Sequence, residues 1–111
     1  MNDIKQHRAE QVIKELAAEF LERQSNRSSL ITVTGIDLSP DMKHVTILLS
    51  VLPNEKTKSV VDFANRQKPE FVEFVKKRSR IRMLPSFSFQ EDLGERNRQK
   101  IDELMSREGL S

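Results

Sequence analysis

The chain has no cysteine, no tyrosine and no tryptophan, and only three glycines. Without cysteine it forms no disulfide, no thiolate metal site and no thiol nucleophile, a composition that fits a reducing cytoplasm. With Gly35, Gly94 and Gly109 as the only glycines, no glycine-rich phosphate cradle can be built, and neither a P-loop nor a dinucleotide fingerprint appears. The aromatic residues are six phenylalanines. Stacking platforms for single-stranded bases need exposed rings, whereas Phe20, Phe71, Phe74, Phe87 and Phe89 fall on apolar stripes and are expected in the core; Phe63 is not assigned by its pattern. No apolar run approaches the ~20 residues of a membrane span. The start, Met1-Asn2-Asp3-Ile4-Lys5, carries charge where an export signal needs its apolar segment, so export is not expected.

Catalysis finds equally little. The two histidines, His7 and His44, lack a nucleophile and carboxylate at any known spacing. Asp37 and Asp41 lie near His44, but a turn between strands ordinarily carries aspartates for backbone bonding. No enzyme activity, metal site or cofactor is expected.

What remains is a charged globular chain, 36% hydrophobic and 32% charged, of a length that suits one domain over residues 1–111. Apolar residues at Ile4, Val12, Ile13, Leu16, Ala17, Phe20 and Leu21 predict an amphipathic helix over about 4–24. The polar run Ser25-Asn26-Arg27-Ser28-Ser29 interrupts it as a loop. Residues 30–38 and 44–52 read as strands. Val45, Ile47, Leu49 and Val51 alternate onto one face, and Ser39-Pro40-Asp41 supplies the turn of an antiparallel hairpin. Gly35 within the first strand predicts a bulge or a close backbone approach. Pro53-Asn54 closes the hairpin and opens a helix capped by Asn54 or Thr57, with Val60, Val61 and Ala64 facing the core. Pro69 cannot continue a helix but suits the first turn of a new one. The spacing therefore predicts two helices, about 55–66 and 69–79, with a kink at Gln67, Lys68 and Pro69. Residues 85–90 form a third strand with Phe87 and Phe89 on one face, and 95–107 a terminal helix stopped by Gly109.

Net charge is only +2, yet it is unevenly placed. Between Arg66 and Arg82 stand seven basic residues (Arg66, Lys68, Lys76, Lys77, Arg78, Arg80 and Arg82) against Glu70 and Glu73, a local +5 that leaves −3 for the rest. Such a segment is a candidate phosphate-binding surface; the competing reading is a solvated helix face. Without stacking rings, backbone contact by Lys and Arg favours folded RNA recognised by shape. Lys76, Lys77 and Arg78, read as surface residues, should be replaceable at little cost in stability.

Two stretches carry a family resemblance. Val33-Thr34-Gly35-Ile36-Asp37-Leu38-Ser39-Pro40-Asp41-Met42 is similar to the hairpin of ribosome-binding factor A. So is Arg80-Ile81-Arg82-Met83-Leu84-Pro85-Ser86-Phe87-Ser88-Phe89, followed by Asp92. The resemblance implies an α+β fold of the type II KH-like kind, α-β-β-α-(kink)-α-β with a mixed three-stranded sheet and a short C-terminal helix. It also implies a cytoplasmic, monomeric, non-enzymatic factor that binds the free small (30S) ribosomal subunit and its 16S rRNA. The work implied is late maturation and rRNA processing, near the 5′-terminal helix. Relatives kink at an Ala-x-Gly between the second and third helices, where this chain has Gln67-Lys68-Pro69. A KH-like protein–protein interaction module without RNA binding is the alternative; it predicts no salt-dependent RNA affinity.

Overall fold

The computed structural model describes residues 2–24, 28–81 and 83–94, with side chains from Arg8 onward. The predicted terminal helix at 95–107 lies outside these residues.

Helix α1 (Asn2–Gln24) is followed by strands β1 (Leu30–Leu38) and β2 (His44–Leu52), then helices α2 (Thr57–Arg66) and α3 (Lys68–Arg78), and strand β3 (Ser86–Glu91). The sheet order is β1-β2-β3. β1 and β2 pair antiparallel, as a short turn permits, and β3 lies parallel to β2, which requires the crossover supplied by α2 and α3. The ladder shifts register between Val33 and Gly35, so Thr34 is the extra residue of a bulge beside the glycine that predicted it.

Period-two alternation sends Val33, Val45, Ile47, Leu49, Phe87 and Phe89 to one face, where they meet Ile13, Leu16, Ala17, Phe20 and Leu21 of α1, Ala64 of α2, and Phe71 and Val75 of α3. Phe71 is at the centre and fully buried. Its ring lies 5.3 Å from that of Phe20, 5.0 Å from Phe87 and 5.6 Å from Phe89, in tilted and edge-on arrangements that suit aromatic quadrupoles. Two expected core positions are not in it. Val12 falls just outside the arc of α1 that the sheet covers and is exposed. Val60 stands with Phe63 in an open groove beside Leu21 and Ile31.

The break between α2 and α3 comes at Gln67, whose φ of −92° and ψ of 10° leave helical geometry for a single residue. Its N–H still donates to the Ala64 carbonyl at 3.0 Å, and its carbonyl accepts from Phe71 N–H at 2.9 Å, so Gln67 ends one helix and starts the next with both its backbone groups paired. Pro69 occupies the first turn of α3, where a missing donor costs nothing. Neither Asn54 nor Thr57 caps α2. A 3-10 turn, Asn54–Lys56, feeds directly into the helix instead, and the Thr57 hydroxyl donates back to the Asn54 carbonyl at 2.7 Å.

Side chains also tie distant elements together. The Asn65 amide grips β3 as a neighbouring strand would, donating to the Phe89 carbonyl and accepting from the Phe89 N–H, both at 2.9 Å. That contact occupies the outer edge of a strand that would otherwise present free backbone groups. On the opposite face of the sheet, the hydroxyl of bulge residue Thr34 donates to the Asp92 carboxylate beyond the end of β3.

Candidate nucleic-acid interface

Cations are not spread evenly over the surface. None of the three described strands contains a Lys or Arg. The sheet's open face holds Thr32, Thr46, Ser50, Ser86 and Ser88 around Leu48, while both β3 phenylalanines point into the core. It offers no Lys or Arg, and its one ring among the described residues is the exposed imidazole of His44 at the start of β2. Among the described residues the Lys and Arg side chains therefore belong to the helices and the connections between elements, Lys43 of the hairpin turn included.

Within that surface the basic run divides in two. Arg66 and Lys68 flank the α2–α3 break, and Lys76, Lys77 and Arg78 end α3, where the cations also complement the negative end of the helix dipole. The stretch of helix from Lys68 to Lys77 sets the groups about 14 Å apart at about 1.5 Å per residue, with Glu70 and Glu73 between them. After α3 the chain turns extended at Ser79, whose hydroxyl donates to the Val75 carbonyl at 2.8 Å. Arg80 follows, exposed, and Ile81 and Leu84 pack against the core. Arg82 lies outside the described residues.

The members of this set differ in what holds them. Among the described residues, Arg66, Lys68, Lys77 and Arg80 pair with no carboxylate, whereas Lys76 lies 3.5 Å from Glu73. Arg78 is committed elsewhere. Its guanidinium is 2.8 Å from Glu19 of α1 and 4.8 Å from the centre of the Phe74 ring. Arg23 meets the same carboxylate at 3.0 Å and the same ring at 5.6 Å. The part played by Glu19 and Arg23 carried no signal in the sequence, since Glu19 and Arg78 stand 59 positions apart; Phe74, expected in the core, packs against it half-buried and leaves a face to the two guanidinium groups. The expectation that Arg78 is replaceable at little cost is corrected by this clasp between α1 and α3. Arg78→Gln should lower unfolding stability by about 1 kcal/mol, the sum of a screened surface ion pair and a partly exposed cation–π contact. A double-mutant cycle with Glu19→Gln, followed by thermal melts, measures the coupling.

The hairpin tip is a locked turn. The Ser39 hydroxyl donates to Asp41 at 2.6 Å and accepts the His44 N–H at 3.0 Å; Asp41 also accepts the Lys43 N–H at 3.0 Å. These bonds, led by that from Ser39, hold the Asp41 carboxyl below its ordinary range. The Ser39 and Asp41 side chains thus serve backbone geometry, and His44 joins them through its N–H alone. Among the described residues no group of acidic, histidine or cysteine side chains could hold a metal ion, and no described helix is long and apolar enough to cross a membrane. The Lys43 carbonyl accepts the Ser86 N–H at 2.8 Å, which brings together the two stretches that carried the family resemblance.

An α-β-β-α-α-β chain with helices on one face of a mixed three-stranded sheet is a type II KH-like protein. The sequence model of the family "Ribosome-binding factor A" matches residues 5–105, and the chain belongs to that family. Ribosome-binding factor A of Thermodesulfovibrio yellowstonii is 30% identical over 96 residues, covering 85% of this chain and 81% of that one. The Fervidobacterium nodosum protein is 33% identical over 78 residues, 69% of this chain but only 62% of its own length. In structure, the crystallised Thermus thermophilus factor superposes with a TM-score of 0.67 at 22% identity, over 77% of this chain and 92% of that one. A homology model of the Thermus thermophilus factor, fitted into a cryo-EM map of its 30S complex, gives 0.61, also at 22% identity, over 71% of this chain and 86% of that one.

Proposed function

We propose that this protein is a ribosome assembly factor that binds the free small subunit in the cytoplasm and assists late maturation and 16S rRNA processing near the 5′-terminal helix. It acts as one domain of residues 1–111, as a monomer, without cofactor or catalysis. The observation that carries the reading is the family match across residues 5–105; the Thermus relative fitted into a 30S complex supports the partner. The charge placement supports the mode. Phosphates meet Arg66, Lys68, Lys76, Lys77 and Arg80, with Arg82 a further candidate in the same basic run, and the sheet face without Lys or Arg is turned away. Arg78 contributes to the local field from within its clasp with Glu19.

The test is sedimentation of ribosomal particles from cells producing the tagged protein. It should travel with free small subunits and be scarce on joined ribosomes. Equal abundance on both, or absence from both, would sink the assembly-factor reading and favour a protein-interaction module.

A further inference from the structure

Helices α1 and α3 meet over the ring of Phe74, and an arginine from each converges there. Nη2 of Arg23 and Nη1 of Arg78 donate to the same atom, Oε1 of Glu19, at 3.0 and 2.8 Å. Their guanidinium groups lie 5.6 and 4.8 Å from the centre of the Phe74 ring, which leans on the Phe20 ring at 5.5 Å. An arginine in the last turn of a helix is ordinary, because it complements the dipole and pairs with a glutamate four residues before it. The pairing alone therefore decides nothing.

Its surroundings decide more. A clasp between the helices needs only Glu19 and Arg78. The Arg23–Glu19 pair lies within α1, and the Arg23 ring contact is close to the ~6 Å limit of a cation–π pair. Each guanidinium spends one N–H on the shared oxygen and has no other hydrogen-bond partner among the described residues, so most of each planar fork is open. The charge is not balanced either. Arg23, Lys76, Lys77 and Arg78 face Glu19, Glu70 and Glu73, four cations against three carboxylates, and Glu73 is 3.5 Å from Lys76. Glu22 lines the groove on the other flank of α1, beside β1. Next to the ring is an open depression of about 450 Å³, lined by Arg23 and Gln24 of α1 and by α3 from Pro69 in its first turn to Lys77 near its end. It runs between the two groups of the basic run, about 14 Å apart, where α3 itself supplies only Glu70 and Glu73 as charges.

We propose that Arg23 and Arg78 together bind a phosphodiester group of the ribosomal RNA, with Glu19 holding the two forks convergent until the phosphate takes its place. The inference rests on the RNA-binding reading above and adds α1 to the surface that meets RNA. It supplies what that reading lacks, a cation between the two groups of the basic run, and it takes that cation from outside the run. A guanidinium fork matches the free oxygens of a phosphate. Backed by an aromatic ring it is weakly hydrated and already oriented, which an ammonium on a flexible stem is not.

The full-length protein carrying Arg23→Gln is compared with wild type in a salt titration of binding to purified small subunits, with a melting curve for each. Affinity at low salt should fall severalfold, and the dependence of log affinity on log salt should flatten by about one unit. The melting temperature should stay near that of wild type, because an exposed ion pair within one helix contributes little. Arg23→Lys should restore the slope but not the full affinity, since the charge returns without the fork. Glu19→Gln separates a phosphate site from a clasp. It should lower the melting temperature and yet tighten binding, because the carboxylate that competes with phosphate is gone. A diazirine side chain at position 24, on the rim of the depression, should form adducts with rRNA. Wild-type affinity and slope in Arg23→Gln, weaker binding in Glu19→Gln, or adducts with ribosomal protein alone overturns the phosphate site while leaving subunit binding intact. Failure of the wild-type protein to bind small subunits overturns the reading beneath it.

Discussion

Phe71→Ala should lower the free energy of unfolding by about 3–5 kcal/mol, the range for deleting a buried aromatic ring. Phe71 is fully buried and its ring meets those of Phe20, Phe87 and Phe89, so it joins α1, α3 and β3 at one point. Alanine there leaves a cavity bounded by three other rings, which the sheet and two helices cannot close without moving apart. Domains of this size are stable by about 5–15 kcal/mol in total, so the variant should lose a large share of its margin. The chain lacks tryptophan, which makes far-ultraviolet circular dichroism in urea the suitable probe. The midpoint should fall sharply with little change in slope. A loss below about 1.5 kcal/mol, the usual ceiling for volume-conserving core exchanges, would show that Phe71 does not hold the layers together.

The second large effect is on binding. Arg66, Lys77 and Arg80 are exposed, pair with no carboxylate among the described residues, and sample both groups of cations around α3. Replacing all three with glutamine should weaken binding to small subunits steeply at low salt. The dependence of log affinity on log salt should flatten by about one unit for each phosphate that is no longer neutralised. Thermal stability should stay within about 0.5 kcal/mol, as for surface substitutions without partners. That separates the triple variant from Arg78→Gln, in which stability falls because a clasp opens. Unchanged affinity with an unchanged slope would assign these cations to an ordinary solvated surface.

How far these residues were legible follows from the distance over which each is determined. The hairpin was plain because its information is local: alternation in β2, Pro40 and Asp41 at the turn, and Gly35 beside the bulge. The helix break was plain for the same reason, since Pro69 forbids continuation whatever surrounds it; α3 begins one residue earlier than expected because Lys68 can still enter the first turn. The strand order was legible only through the family resemblance. Nothing in residues 86–91 states that they pair parallel with β2 rather than antiparallel with β1.

The sequence by itself determined the elements, the apolar faces they bury and the total charge of the basic run, because periodicity, turn chemistry and composition act within a few residues. Only the tertiary structure decided what each cation is free to do. Folding binds Arg78 to a carboxylate on another helix and leaves Arg66, Lys68, Lys77 and Arg80 without a carboxylate partner among the described residues. It also joins the hairpin turn to the start of β3 through the bond from Ser86 N–H to the Lys43 carbonyl. A side chain's partners are chosen by packing between elements distant in sequence, and local pattern carries no record of that choice.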